Sequence, residues 1–360
     1  MNRGTDYAPL TAPVTSAEMS AFRSSDRARQ QYSAVPFVIQ GVILAMFFVV
    51  FGVIAATVLS TLARVLFFSS PRSGPGDLAT VVPFPVIVAG IVGTIVVSAV
   101  LVVRRANGRY WEKLFRMDGF ASANGMIFSP RDPEPRYPGA IFSNGRNRES
   151  RDHLRSVTSR FLDYGNYRYV TGGGKNQSTH NWGFLALQLD RALPHMVLDS
   201  RANNGLFGGT NLPASFQKEQ VLSLEGDFDN YFTLYCPRQY ERDALYVFTP
   251  DLMALLIDNA APFDVEIIDS WMFVYSAAPF DMMQPAVHER LLRIVDTVGA
   301  KTLSQTDRYA DARIQDARAN VVAPAGQRLK LKFPLSAVIV IGIFVTAFAV
   351  IPFITAALSR

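Results

Sequence analysis

The sequence predicts an α+β domain with an antiparallel sheet, attached to three transmembrane helices. Three observations support this fold class. Apolar runs without a charged residue cover 35–59, 82–103 and 333–358, and a bilayer needs roughly 20 such residues as helix. The long segment between the second and third runs is more polar and is interrupted by Gly, Pro, Asn and Asp. Within it, strand patterns precede most helix patterns, an order that is typical of α+β folds.

The composition supports a mixed architecture. With 49% hydrophobic residues and a mean hydropathy of +0.15, the chain is too apolar for an ordinary soluble enzyme and too polar for an all-helical transporter. Its net charge is +5, but residues 106–327 carry 23 basic and 26 acidic residues, a balance of −3. The positive excess therefore flanks the apolar runs. This distribution predicts the lipid bilayer as the anionic partner and predicts no binding to nucleic acid.

Basic residues beside the apolar runs predict the topology. Arg104 and Arg105 directly follow the second run, and Arg328, Lys330 and Lys332 precede the third. Lys and Arg accumulate on the cytoplasmic flank of a transmembrane helix. We therefore expect a multi-pass plasma-membrane protein whose N-terminus and main domain are cytoplasmic and whose C-terminus is external.

The domain organisation follows from these runs. The predicted parts are a disordered cytoplasmic tail (1–34), a first transmembrane helix (35–59), an external loop (60–81), a second transmembrane helix (82–103), the cytoplasmic α+β domain (104–304), a helix and basic linker (305–332) and a third transmembrane helix (333–358). Small residues spaced four apart, Gly52 with Ala56 and Ala89 with Gly93, suit helix association. Oligomers through the transmembrane helices are therefore one expectation. Cys236 is the only cysteine, which excludes an intrachain disulfide.

Local patterns predict the elements of the domain. A helix at 107–121 leaves the membrane, and a hairpin follows, with a strand at 167–170, a turn at 172–175 and a strand at 182–189. Further strands are predicted at 196–198, 231–235 and 244–248. Thr249 and Pro250 open a helix as its cap and first residue. The remaining predictions are a strand pair at 265–268 and 271–275 with a turn at 269–270, a helix at 285–304 and a solvated helix within 307–320.

Several short motifs resemble a family of actinobacterial membrane proteins. They are LPHMVLD at 193–199, GNYRY at 165–169, GDF at 226–228 with YF at 231–232, and FTP at 248–250. The family is similar, more distantly, to a bacterial domain of unknown function that also has a Thr-Pro-capped helix after two strands. The resemblance covers roughly 120–276. It implies the boundaries of the fold and the class of host, and it implies no catalytic residues.

Four motifs match known sites only in part. Gly172-Gly173-Gly174-Lys175 lacks the spacing of a phosphate-binding loop and the helix that must follow it, so a hairpin turn is the better interpretation. His288-Glu289 begins a zinc motif, but Leu292 occupies the second ligand position, so we expect His288 on a helix surface. The serine and lysine of 215–218 have no partner motif. The acids of 225–229 are interpreted as a solvated turn. No cofactor or metal site is predicted.

His180, His195 and Asp199 remain as candidate catalytic residues. If the two histidines met across adjacent strands near Asp199, they could form a hydrolytic or metal-dependent site. Because no complete catalytic motif is present, the sequence favours an interaction or scaffolding domain that binds another membrane or envelope protein. A membrane-anchored enzyme that uses the three candidates is the first alternative. An accessory subunit of a transporter is the second.

Overall fold

The computed structural model contains two compact units, Met1–Phe120 and Ala121–Arg360. It describes residues 4–32, 41, 47–52, 54–55, 58, 61–62, 83–157, 160–204, 210–316 and 318–332. The predicted transmembrane runs at 333–358 and, for the most part, at 35–59 lie outside these residues, as does nearly all of the predicted external loop.

The described part of the N-terminal tail, residues 4–32, is largely helical, which differs from the prediction of a disordered tail at 1–34. It forms three helices: α1 (Ala8–Thr11), α2 (Ser16–Ser24) and α3 (Asp26–Gln31). Thr15 and Glu18 form a capping box at α2, in which the Glu18 carboxylate accepts a hydrogen bond from the Thr15 amide at 2.8 Å. The tail's Ser and Thr content, which suggested disorder, thus includes helix caps. The Tyr32 hydroxyl also donates to Asp118 at 2.8 Å.

Helix α4 (Pro83–Ala123) contains residues 83–103 of the predicted second transmembrane helix (82–103) and the whole of the predicted helix at 107–121. Its later turns are amphipathic, and Trp111, Leu114 and Met117 are buried. Among the residues that the structure describes, no helix combines the length and the apolar character that crossing a bilayer requires. The predicted fold class is therefore wrong in its three transmembrane helices.

The second unit is an α+β domain with an antiparallel sheet, as predicted. Its strands are β1 (Met126–Pro133), β2 (Arg146–Ser156), β3 (Leu162–Thr171), β4 (Ser178–Ser200), β5 (Val221–Leu222), β6 (Phe232–Tyr235) and β7 (Asp264–Ser276). The order in the sheet is β1-β2-β3-β4-β6-β5, and β7 pairs with β4. The β3–β4 hairpin confirms the predicted turn, because Gly172 and Gly174 adopt φ angles of +70° and +54°.

Strands β4 and β7 are each longer than predicted. The expected strands at 182–189 and 196–198 are one strand, and so are those at 265–268 and 271–275. Asp269 has a φ of +52°, and the register shifts between Gln188 and Met196 on the facing part of β4. The Asp269-Ser270 dipeptide therefore belongs to an irregularity within the sheet, whereas its polarity had suggested a turn.

The second unit also contains several helices. They are α5 (Glu241–Val247), α6 (Pro250–Ala260), α7 (Pro285–Ile294), α8 (Ala300–Thr306) and α9 (Pro324–Gln327), and a π turn (Val295–Gly299) joins α7 to α8. The predicted helices after Thr249 and at 285–304 are confirmed. The predicted strand at 244–248 is wrong, since most of it lies in α5. The predicted helix within 307–320 is also wrong: the segment is irregular, and Asp311 accepts hydrogen bonds from Tyr240 at 2.6 Å and from the Ala323 amide at 2.9 Å.

The two faces of the sheet have different coverings. On one face, Gly299 lies so close to Leu187 that a Cβ on it would come within 2.7 Å of that side chain, and the His288 ring lies 3.1 Å from the Tyr164 hydroxyl. His288 is fully buried there, so the expectation of a surface residue is wrong. The other face, called the aromatic face below, is covered by loops. Its buried residues include Phe142, Tyr167, Trp182, Phe184, Phe273 and Tyr275.

Candidate functional site

All three predicted catalytic residues lie on β4, but the structure does not bring the two histidines together. His180 is near the start of the strand, and His195 is near its end. The His180 ring stacks on Tyr169 with 4.7 Å between ring centroids, and its Nε2 lies 2.8 Å from the Thr171 hydroxyl. Since an extended strand rises about 3.3 Å per residue, the histidines are far apart along it. They do not meet across adjacent strands, which the enzyme hypothesis required.

His195 belongs to a buried network in which every polar atom has a partner. Its Nδ1 accepts a hydrogen bond from the Leu329 amide at 3.0 Å, so its Nε2–H donates to Glu266 at 2.7 Å. The other Glu266 oxygen accepts from the Tyr275 hydroxyl at 2.6 Å and from the Ala140 amide at 2.7 Å. Both nitrogens of His195 are therefore engaged, and the ring holds the segment at Leu329 against the aromatic face.

Asp199 is paired with an acid that the sequence reading missed. The register pairs Leu198 with Val265, which places Asp199 opposite Asp264. Opposite residues of an antiparallel pair point to the same face, with Cβ atoms about 4.5–5.5 Å apart. Both side chains are buried: Asp264 is fully buried, and Asp199 is 4% exposed. This carboxylate pair lies two residues beyond Val197 and Glu266, on the aromatic face.

The surroundings of the carboxylate pair disfavour negative charge. Burial raises the pKa of Asp264 to about 7; the Ser200 amide, which donates to it at 2.8 Å, opposes the rise, and the charge of Asp199 adds to it. Burial also raises the pKa of Asp199, against hydrogen bonds from Thr210 and Asn204. Within the described residues, Asp199 Oδ1, Asp264 Oδ2 and Asn204 Oδ1 are buried without a hydrogen-bond partner. Each carboxylate of the pair thus has one oxygen that accepts no hydrogen bond from the described residues.

A second buried acid, Asp163, has the opposite surroundings. It accepts a hydrogen bond from Tyr137 at 2.5 Å, lies 2.7 Å from His153 Nδ1 and pairs with Arg155 at 3.1 Å. Burial alone would raise its pKa, but the hydrogen bond and charge of His153, with Tyr137 and Arg155, hold the pKa below its usual range. Gly165 makes room for this arrangement, because a Cβ there would lie 2.5 Å from His153 Cα.

The other polar motifs have structural roles. Asp229 accepts a hydrogen bond from the Leu224 amide at 3.3 Å and another from the Ser223 hydroxyl, which stabilises the turn at 225–229. Cys236 is buried, and burial raises the pKa of its thiol to about 12, which disfavours the nucleophilic thiolate.

A basic surface lies on the exterior of the domain. One cleft, of about 380 Å³, is lined by Arg238, Arg328 and Lys330 with Glu219 as its acid. Another, of about 660 Å³, is lined by Arg242, Arg308 and Arg313 with Asp243 as its acid. The segment 237–246 contributes to both clefts. We call these two clefts together the basic surface.

Some cations of the basic surface are neutralised and others are not. Arg313 pairs with Asp311 and Asp243 and lies 3.8 Å from the Tyr240 ring centroid, and Arg328 pairs with Asp269 at 3.1 Å. Three exposed cations of the basic surface have no salt-bridge partner in the part of the chain that the structure describes. They are Arg238, Arg242 and Lys330.

Lys330 and Lys332, predicted as part of a basic linker at a membrane, are attached to the domain. The Lys332 amide donates to the Ser215 carbonyl at 2.7 Å, and the Lys330 amide donates to the Gln220 side chain at 2.8 Å. These bonds fix the backbone of 330–332 beside 215–220. The basic side chains of this segment therefore form part of the domain surface.

Comparison with known proteins gives one finding. No protein-family model matches the sequence, and no curated protein matches it. Among solved structures, the chain is similar to the crystal structure of the mycobacterial trehalose monomycolate transport factor A, TtfA, with a TM-score of 0.35 and 11% sequence identity. That similarity covers 51% of this chain and 91% of the other. At this level it carries no argument about function, and the resemblance to an actinobacterial membrane family stays a prediction.

Proposed function

We propose that the α+β domain is an interaction module that binds an acidic segment of a partner protein on its basic surface. The observation that carries the proposal is the group of exposed cations without an acid partner among the described residues: Arg238, Arg242 and Lys330. Such charges attract an anionic partner and accelerate its association.

The composition of the surface favours a protein as the partner. Arg and Tyr are enriched where proteins bind each other, and both line the cleft that contains Arg313 and Tyr309. Leu245 and Tyr246 are 51% and 42% exposed beside these cations, which adds apolar area to the charge. The surface is also concave and built around a guanidinium that two acids and a tyrosine ring hold in place. A concave surface of this kind suits acidic side chains better than it suits a flat layer of lipid headgroups.

Charge reversal of the basic surface tests the proposal. The full chain and the variant Arg238→Glu/Arg242→Glu are titrated with a fluorescent peptide of alternating Glu and Leu, and binding is followed by anisotropy. We expect binding to the wild-type chain that weakens with salt, and a loss of at least about ten-fold in affinity for the variant. Lys175→Glu, a change at the exposed β3–β4 turn, is the matched control and should bind normally.

Two results would contradict the proposal. One is equal peptide affinity of the wild-type chain and the double variant. The other is sedimentation of the chain with vesicles of anionic lipid without any binding to the peptide, which would identify a lipid surface as the partner.

A further inference from the structure

We propose that Asp199, Asp264 and Asn204 form a binding site for a hard divalent cation, either Ca²⁺ or Mg²⁺. This site is separate from the basic surface and does not depend on the proposed interaction function.

The register of β4 and β7 makes the two carboxylates converge. Asp199 and Asp264 are opposite residues on adjacent antiparallel strands, and their side chains point to the same face. Asn204 follows β4 and contacts Asp199 through a hydrogen bond. Asp199 and Asp264 therefore come from two strands that the sheet holds in register, and Asn204 comes from the turn that follows β4.

Unused oxygen atoms indicate what the site would bind. Asp199 Oδ1, Asp264 Oδ2 and Asn204 Oδ1 are buried and have no hydrogen-bond partner in the described part of the chain. A buried acceptor without a partner destabilises the folded state, and more so when it is charged. Three such atoms are unusual on side chains that one strand pairing and one hydrogen bond connect, because buried polar groups are nearly always satisfied. A cation would satisfy all three at once.

The ligand types select the class of cation. Two carboxylates and an amide carbonyl form a set of oxygen donors, which Ca²⁺ and Mg²⁺ prefer. No Cys or His is among the three ligands, so the set offers no donor that a softer metal prefers. Water would complete the coordination, as it commonly does for Mg²⁺.

A shared proton is the rival explanation of the pair. With the pKa of Asp264 near 7, a protonated Asp264 could donate to Asp199 and satisfy one of the oxygens. It would leave the Asn204 carbonyl unsatisfied. The two explanations differ at neutral pH: added cation stabilises the chain if the site binds it, and has no effect if the two carboxylates only share a proton.

Calorimetric titration of the chelator-treated full chain with CaCl₂ and with MgCl₂ tests the site. We expect saturable binding of one ion per chain, and a loss of at least about ten-fold in affinity for Asp264→Asn, since even indirect ligand supports cost that much. Asp227→Asn, in the exposed turn at 225–229, is the matched control and should bind as the wild type does.

Thermal unfolding of the wild-type chain gives a second measurement that does not depend on a variant. An ion that binds only the folded state raises the melting temperature, and the chelator reverses the rise. The proposal is overturned if neither ion changes the melting temperature or binds saturably. It is likewise overturned if Asp264→Asn folds and binds the ion as tightly as the wild type.

Discussion

The two buried acid clusters on the aromatic face have opposite electrostatics. Asp163 is fully buried among a histidine, a tyrosine and an arginine, and its pKa is lowered. Asp264 is equally buried but faces another carboxylate, and its pKa is raised. Burial raises the pKa of both aspartates, so the neighbouring groups determine whether the net shift is upward or downward. The first cluster holds the fold together, while the second retains unused acceptors that a ligand could satisfy.

The largest effect is expected from Asp163→Asn. The substitution leaves His153, Tyr137 and Arg155 without their common acceptor charge, and removing one member of a buried ion pair costs about 3–5 kcal/mol. Urea unfolding measures the change in the free energy of unfolding. Asp258→Asn, on the exposed side of α6, is the control and should change it by less than about 0.5 kcal/mol. Equal effects of the two variants would refute the assigned role of Asp163.

Asp264→Asn should remove a fall in stability that the wild-type chain shows as the pH rises. The folded chain retains the Asp264 proton up to about pH 7, whereas the unfolded chain loses it near pH 3.9. Between these values the folded state binds more protons, so stability falls as pH rises, by on the order of 4 kcal/mol in total. Besides Asp199, the titratable groups near Asp264 include Arg201, Tyr235 and Tyr275. The lowered pKa of Asp163 acts oppositely, since its stabilisation is lost as pH falls.

Unfolding curves at several pH values, with chelator present, separate these contributions. We expect the wild-type chain to lose stability between about pH 4 and pH 7 relative to Asp264→Asn, whose asparagine can still accept from the Ser200 amide. Parallel profiles for the two proteins would mean that Asp264 titrates normally and that the contrast between the clusters is absent.

The sequence predicted elements where local chemistry decided the structure. The β3–β4 hairpin follows from a glycine turn between alternating strands, and α6 begins at Thr249-Pro250 as expected. The predictions failed where contacts between segments distant in the sequence determined the local structure. The polar dipeptide at 269–270 suggested a turn, but pairing with β4 continues on both sides of it. Residues 244–247 have strand propensity, but they form the last turn of α5.

The candidate site was recognisable only in part. Asp199 was identified, but His180 and His195 were chosen as its partners because they are chemically versatile residue types. One signal for Asp264 was present: Asp264 and Glu266 alternate at a spacing of two within an apolar strand, which places both on one buried face. The sequence does not predict the register of β7 against β4, because the two strands are far apart in sequence and no local feature fixes their pairing.

Tyr275→Phe tests the saturated network of His195 and Glu266, which lies between the two clusters on the aromatic face. It removes one donor to a buried carboxylate while Ala140 and His195 remain, so we expect a loss of about 1–3 kcal/mol. Tyr235→Phe is the matched control, because the Tyr235 hydroxyl donates no hydrogen bond within the described residues. Denaturant unfolding of both variants measures the difference. An unaffected Tyr275→Phe protein would show that Glu266 does not depend on this hydroxyl.

The smallest effect is expected from Asp132→Asn, at the outer end of the Asp163 cluster. Asp132 lies 3.2 Å from Arg155, but both side chains are 39% exposed, and exposed ion pairs contribute about 0–1 kcal/mol. Arg155 also keeps its buried partner Asp163 at 3.1 Å. The free energy of unfolding should therefore change by less than about 1 kcal/mol, and less still at high salt. If Asp132→Asn instead cost as much as Asp163→Asn, the outer acid would neutralise Arg155, and burial would not explain the contrast between the clusters.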